Sequence, residues 1–199
     1  MYSKFLKFLY RSVTWLFVLF VISFCNKSYT AHEEVLSPGH KKDLQELALS
    51  INTRLSYMKD VAAYKWENKI PIEDKAREVV VIQASQESAL QNGLDTLTTR
   101  VFFELQITLA KQIQEYWFAK WEASGESPSE FKDLQEVVRP ELIKVGNEII
   151  QKISASDMAT YRGHFINKNR EAFTGLISTE GLSTKNKEEL FEAVTSIIN

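Results

Sequence analysis

The sequence predicts an all-α fold, a single helical domain of about six helices. Apolar residues recur at steps of three and four along most of the chain, which is the period of an α-helix. The turn dipeptide Asn92-Gly93 joins two segments of this helical period and not two alternating strands. The chain of 199 residues, without its N-terminal segment, has the length of one domain with one core.

The first 25 residues have the pattern of a secretory signal peptide. Three cations within residues 1–11 precede an uncharged apolar run at 13–24. A run of this length suits a signal peptide, which needs about 7 to 15 apolar residues, better than a membrane span of roughly 20. We therefore expect cleavage between residues 25 and 31, a periplasmic or secreted protein, and no stable membrane anchor. A lipid anchor on Cys25 is the alternative, although bulky Phe24 stands where lipidation signals carry a small residue.

The helical domain is expected to span residues 41–199, after a flexible lead-in at 26–40 that has no sustained period. A long first helix is predicted to start at Lys41 and to run towards Lys69, with Pro71 as its stop. Its apolar residues keep the helical period: Leu44, Leu47, Ile51, Leu55 and Met58.

Local stop and start signals divide the rest of the chain into further helices. A second helix is predicted from Asp74, a good N-cap, to the stop at Gly93. A third spans about Thr96 to Ala123, and the following Gly125 breaks it. Three more helices are predicted at 133–154, 157–173 and 184–198.

Composition excludes several classes of function. Residues 1–25 contain three cations and no acid, so the remaining chain has 21 Lys and Arg against 26 Asp and Glu. An acidic chain without a basic stripe is a poor nucleic-acid binder. The three histidines are scattered and the single cysteine lies at the end of the leader, so neither a metal site nor an internal disulfide is expected. No cofactor is predicted.

Two cations occupy positions beside the apolar stripe of the first helix. Arg54 precedes Leu55 directly, and Lys65 follows Arg54 by eleven residues. Eleven residues make three turns plus about 20°, so both side chains leave the same side of one helix, roughly 16 Å apart. They can reach into one space. The alternative is that both extend from the edge of the core to water.

Further polar residues stand at helix starts and within an apolar segment. Asp74, Arg77 and Glu78 share the first turn of the second helix, a spacing that is also common in solvated pairs. In the third helix Gln114 stands one turn after Lys111, and either could be an ordinary surface residue. Near a later helix start, the candidate is Arg139, which precedes Pro140 and could equally be a surface cation.

The order of these residues resembles the all-helical type II class of chorismate mutases, and specifically its secreted gamma-type subclass. The resemblance is carried by INTRLSYMKD, VAAYKWEN, PIEDKAR and QITLAKQIQEYWFAKW, and later by DLQEVVRPELIKVGNEIIQKI and GHFINKN. It implies an enzyme that rearranges chorismate to prephenate in the phenylalanine and tyrosine branch, without metal or cofactor, and a homodimer in which each chain builds its own site.

The resemblance also implies a role for each candidate residue. Arg54, Arg77 and Arg139 would grip the substrate carboxylates, and Lys65 and Gln114 would contact its ether oxygen. Asp74 would orient Lys65 or bind a substrate hydroxyl, and Glu78 would hold that hydroxyl. The reaction moves no proton, so an enzyme must freeze the reactive geometry and stabilise negative charge on the ether oxygen. Arginine forks suit carboxylates, and an ammonium and an amide N–H can point at one oxygen.

This chain departs from some relatives, and other functions stay open. It has Ala110 where they place a hydroxyl residue and Val81 where they place a polar one. If the register of the third helix were shifted by one, Ile113 would replace Gln114, and an isoleucine cannot donate a hydrogen bond. The alternatives are a catalytically inactive secreted binding protein on the same fold and a lipid-anchored envelope protein.

Overall fold

A computed structural model describes residues 38–156 and 164–197, and within these ranges the chain is all-helical. The described part contains seven α-helices and one π-helical turn, Leu134–Val138. The α-helices are α1 (Pro38–Ser56), α2 (Met58–Glu67), α3 (Lys75–Gln91), α4 (Thr96–Ser124), α5 (Arg139–Ala155), α6 (His164–Leu176) and α7 (Thr184–Thr195). The predicted signal peptide and residues 26–37 and 157–163 lie outside the described ranges. The all-α prediction is confirmed.

The predicted first helix is divided into two. Tyr57 separates α1 from α2 but keeps a right-handed helical conformation, and its carbonyl still accepts from the Val61 N–H. Just before it, the hydroxyl of Thr53 bonds the Leu49 carbonyl and that of Ser56 bonds the Thr53 carbonyl. Such side-chain bonds to the preceding turn bend a helix. The prediction of one continuous helix towards Lys69 was therefore wrong in detail. The helix is interrupted at Tyr57, and α2 ends at Glu67.

The predicted boundaries of α3 and α4 are confirmed by their caps. The Asp74 carboxylate accepts a hydrogen bond from the Arg77 N–H and so caps α3. After each helix the chain turns through a left-handed glycine, Gly93 with φ of 71° and Gly125 with φ of 69°. Glycine adopts this conformation without a steric penalty, which is why both helices stop where they do.

The core lies between α1, α2, α4 and α5, with α6 and α7 packed on one side of it. Each fully buried large apolar side chain contributes roughly 1.5 to 3 kcal/mol relative to an exposed one. Ile51 and Leu55 are fully buried on either side of Arg54, which fixes that part of α1. The largest other buried side chains are Leu47, Phe102, Leu109, Ile113, Ile149, Ile150, Ile153, Phe173, Ile177 and Phe191.

The loop before α7 is fastened to the same two helices that carry Arg54 and Gln114. Asn52 of α1 accepts hydrogen bonds from the backbone N–H of Ser178 and of Thr179. Gln112 of α4 donates to the Gly181 carbonyl at 2.8 Å. Gly181 has φ of 88°, and a Cβ there would lie 3.0 Å from Tyr116 Cβ, so the close approach needs glycine. None of the helices in the described ranges is long and apolar enough to cross a bilayer.

Candidate active site

A cavity of about 230 Å³ lies between α1, α2, α3, α4 and α5. It is formed because α3 packs against α4 while α5 packs against both α1 and α3. Most of its wall is apolar, as is usual for small-molecule sites with a few placed polar groups. All seven predicted site residues line it: Arg54, Lys65, Asp74, Arg77, Glu78, Gln114 and Arg139.

Arg54 is a buried cation without a counter-ion in the described part of the chain. Arg54 is only 5% exposed, so its side chain does not extend to water. The guanidinium lies over the Phe103 ring, 5.6 Å from the ring centroid, and Nε has no hydrogen-bond partner. Burial, and then repulsion from Arg77, lowers the pKa of Arg54 from the ordinary arginine value to about 10. The side chain therefore stays protonated at neutral pH and presents an uncompensated positive charge to the cavity.

Lys65 is also buried, at 8% exposure, and is held by a backbone group. Its ammonium donates a hydrogen bond to the carbonyl of Ile72, in the loop between α2 and α3. Burial lowers the pKa of Lys65, while Asp74 and Glu78 oppose that shift and the cations Arg139 and Lys111 add to it. One ammonium hydrogen is thus engaged by the loop, and the other two can serve a ligand.

The carboxylate of Asp74 contacts the Arg77 backbone and Arg139, and it forms no hydrogen bond with Lys65 among the described residues. One carboxylate oxygen caps α3, at 3.0 Å from the Arg77 nitrogen, and the other lies 3.8 Å from Arg139 Nη2. Lys65 bonds the Ile72 carbonyl instead of this carboxylate, so Asp74 acts on Lys65 through charge alone. The Arg77 side chain forms no ion pair with an acid of the described ranges, which leaves its guanidinium available.

Glu78 is paired across the cavity with a lysine that sequence reasoning did not assign to the site. Lys111 Nζ lies 3.1 Å from Glu78 Oε1 and 3.2 Å from Oε2. Both side chains are about 30% exposed and both line the cavity. The position of Lys111 one turn before Gln114 was a usable signal, because residues three apart share a helix face. Two polar residues without such a signal, Ser85 and Asn147, also line the cavity.

Gln114, and not Ile113, faces the cavity. Ile113 is fully buried in the core, whereas Gln114 is 4% exposed and part of the cavity wall. The Gln114 amide nitrogen donates to the carbonyl of Ala110 at 3.0 Å, and its oxygen has no partner in the described residues. The second hydrogen of that nitrogen meets only Met58 Sδ, at 4.0 Å, and a thioether is a weak acceptor that a ligand oxygen can replace.

Arg139 enters the cavity from the first residue of α5. The π-helical turn directly precedes it, and Pro140 fits the start of a helix because it needs no N–H bond there. Its Nη1 donates to Gln135 at 2.7 Å, which fixes the guanidinium beside Asp74. Val81 and Ala110 also line the cavity, which is therefore apolar at both positions.

The ionisable groups of the cavity favour an anionic ligand. Five cations face two acids, and the acids are already engaged with Lys111, Arg139 and a helix cap. A cation cluster in a closed site attracts anions through its local charge, whatever the net charge of the chain. Within the described ranges, no group of three or more His, Cys, Asp or Glu side chains could hold a metal ion.

Comparisons with known proteins show which family this chain is similar to. Residues 45–115 match the protein family described as chorismate mutase type II. The secreted chorismate mutase of Yersinia pestis is 37% identical over 128 residues, which are 61% of this chain and 68% of that protein. The monofunctional chorismate mutase of Enterobacter agglomerans is 30% identical over 154 residues, which are 77% of this chain and 83% of that protein.

Comparison with solved structures leads to one of the same proteins. The crystal structure of the secreted chorismate mutase from Yersinia pestis superposes with a TM-score of 0.68 at 30% identity. The matched part covers 77% of this chain and 97% of that structure. Sequence, fold and a cavity built for a small anion thus coincide, and the chain belongs to the chorismate mutase type II family.

Proposed function

We propose that this chain is an exported chorismate mutase, an isomerase that rearranges chorismate to prephenate in the cavity between α1 and α5. The observation that carries the proposal is the buried guanidinium of Arg54, which has no counter-ion in the described residues. Keeping a cation there costs stability unless a ligand supplies the negative charge. Chorismate has two carboxylates, and the family to which the chain belongs acts on it.

Three arginines bind the two carboxylates and fix the reactive conformation. Arg54 and Arg77 line the cavity without an ion-pair partner among the described residues, and Arg139 lines it from α5. A planar fork donates two parallel hydrogen bonds to one carboxylate, which sets direction as well as affinity. Holding the flexible enolpyruvyl arm over the ring in this way removes most of the entropic barrier of a unimolecular rearrangement.

Lys65 and Gln114 stabilise the charge that develops as the C–O bond breaks. In the chair-like transition state the ether oxygen becomes negative while the new C–C bond forms, and no proton is transferred. An ammonium fixed by the Ile72 carbonyl and a buried amide are donors already in place, so little reorganisation is needed during the reaction. The low exposure of both residues makes each interaction stronger than it would be in water.

The remaining polar and apolar groups of the cavity recognise the ring of the substrate. Glu78 accepts the hydrogen bond of the ring hydroxyl, and Asp74 positions Arg139 and the first turn of α3. Val81 and Ala110 contact the carbon frame of the substrate from two sides. These roles are supported by the position of all four residues in the lining of the cavity.

A direct assay distinguishes catalysis from the alternative of an inactive binding protein. Purified protein is mixed with chorismate, and the loss of chorismate absorbance and the formation of prephenate are followed with the wild type and Arg77→Ala. We expect one prephenate per chorismate, and a loss of at least ~10²-fold in kcat/KM in the variant, equivalent to about 2.7 kcal/mol. A wild type that binds chorismate without converting it would establish the alternative.

Export and dimerisation complete the proposal. A relative named as a secreted enzyme supports export, and the signal-peptide pattern of residues 1–25 supports cleavage between residues 25 and 31 in a periplasmic or secreted protein. N-terminal sequencing of exported protein tests this, and intact mass detects a lipid on Cys25. Sedimentation of the purified chain tests the homodimer.

A further inference from the structure

We propose that Lys111 is a positioning residue for the rearrangement, which holds the Glu78 carboxylate in the orientation that accepts the hydrogen bond of the substrate's ring hydroxyl. The inference rests on the proposed function and extends it to a residue outside the predicted site. Lys111 then determines which ring substituent the enzyme prefers, without touching the bond that breaks.

The geometry of the pair supports this role. Lys111 Nζ is nearly equidistant from the two Glu78 oxygens, at 3.1 and 3.2 Å, so it fixes the plane of the carboxylate. The pair joins α4 to α3 across the cavity, and both side chains line it. A carboxylate has about four acceptor sites, so each Glu78 oxygen keeps a lone pair for a ligand hydroxyl.

Nearby charges explain why Glu78 needs a dedicated partner. Lys65 is close enough for Glu78 to stabilise its charged form. Without Lys111, that ammonium would still attract the Glu78 carboxylate and turn it away from the ring hydroxyl. At about 30% exposure the Lys111 pair is partly shielded from water, so its attraction is less weakened than that of a surface pair.

The test compares two substrates with a set of matched variants. The substrates are chorismate and an analogue in which hydrogen replaces the ring hydroxyl. Lys111→Met removes the charge and keeps the stem, and Lys111→Arg keeps a charge. Lys120→Met is the control, because Lys120 is on the same helix as Lys111 but lies outside the cavity. There it forms a 3.0 Å ion pair with Glu180.

We expect Lys111→Met to lower kcat/KM for chorismate about tenfold, the size of one lost oriented hydrogen bond, and to leave the analogue within about twofold of the wild type. Lys111→Arg should restore most of the preference for chorismate, and Lys120→Met should leave both substrates unaffected. In a Glu78→Gln background, Lys111→Met should have no further effect, because its partner charge is already gone.

Three results would overturn the inference: an equal loss for both substrates, no loss for either, or additive effects of Lys111→Met and Glu78→Gln. Thermal unfolding of each variant shows whether a uniform loss reflects damage to the fold. A wild type that converts neither substrate would refute the proposed function itself. An active wild type whose substrate preference does not depend on Lys111 would refute only the role of Lys111.

Discussion

Replacing Arg54 with methionine tests whether its buried charge is retained for ligand binding at a cost in stability. We expect Arg54→Met to be more stable than the wild type when no ligand is bound, and to be nearly inactive. The two effects have one cause. The cation has no counter-ion in the described residues of the free chain, and the substrate carboxylate is proposed to supply one.

The magnitude follows from the lowered pKa. The fall of the Arg54 pKa from the ordinary arginine value to about 10 corresponds to about 3 kcal/mol against the protonated form in the fold. Because the folded pKa lies below the unfolded one, this penalty is present in full at pH 7 and is relieved only as pH rises past about 10. The attraction of the guanidinium to the Phe103 ring is worth about 1 kcal/mol and is lost in the variant, although methionine packs well on aromatic rings.

The net expectation is a gain of about 2 kcal/mol, or about 4 to 8 °C in Tm for a domain of this size. Denaturant and thermal unfolding at pH 7 measure it. Arg100→Met is the matched control, since Arg100 is an exposed arginine paired with Glu104 and should change stability by less than about 0.5 kcal/mol. The activity of Arg54→Met should fall by at least ~10²-fold. A variant that is less stable than the wild type, or that retains activity, would refute the reasoning.

Five further results are expected. Gln114→Glu should work best in acid and lose kcat as pH rises from 4 to 8, because only a protonated carboxyl can donate to the ether oxygen; a flat profile would remove Gln114 from that role. Wild-type kcat/KM should be flat through neutral pH and fall at alkaline pH below 10.5, since burial lowers the pKa of Lys65 and the charged form is required. Lys65→Arg should move that fall to higher pH, and an unmoved fall would assign it to another group. Gly181→Ala should destabilise the chain by about 1 to 3 kcal/mol, because its Cβ would meet Tyr116 at a positive φ, whereas Gly175→Ala has open space and should not; equal unfolding midpoints would contradict this. Dialysis against EDTA should leave activity intact, and restoration by Zn²⁺ or Mg²⁺ after a loss would count against the mechanism.

Element boundaries were predictable where one residue decides them locally. Asp74 caps α3 because its side chain reaches the N–H of the next turn, and Gly93 and Gly125 end helices because only glycine is unstrained there. The interruption at Tyr57 was missed, since Tyr57 is itself helical and the distortion arises from hydroxyl groups bonded to the preceding turn. The π-helical turn before Arg139 had no sequence signal either.

Placement of polar residues on a helix face was predictable, but their partners were not. Helical spacing alone put Arg54 and Lys65 on one side of the first helix, and both line the cavity. The same spacing could not reveal that Lys65 bonds the Ile72 carbonyl or that Glu78 pairs with Lys111 from another helix. Those pairings depend on how α3 packs against α2 and α4.

By itself the sequence determined the helical class and which side chains lie on which face, because the period of an α-helix is fixed by its backbone hydrogen bonds. Its residue pattern also resembled a family to which the chain proved to belong. Only the tertiary structure decided that Arg139 of α5 lines the same cavity as Arg54 of α1, and that Arg54 has no acid partner in the described chain. The reason is that helix faces are set locally, whereas the charges enclosed between them depend on which faces pack together.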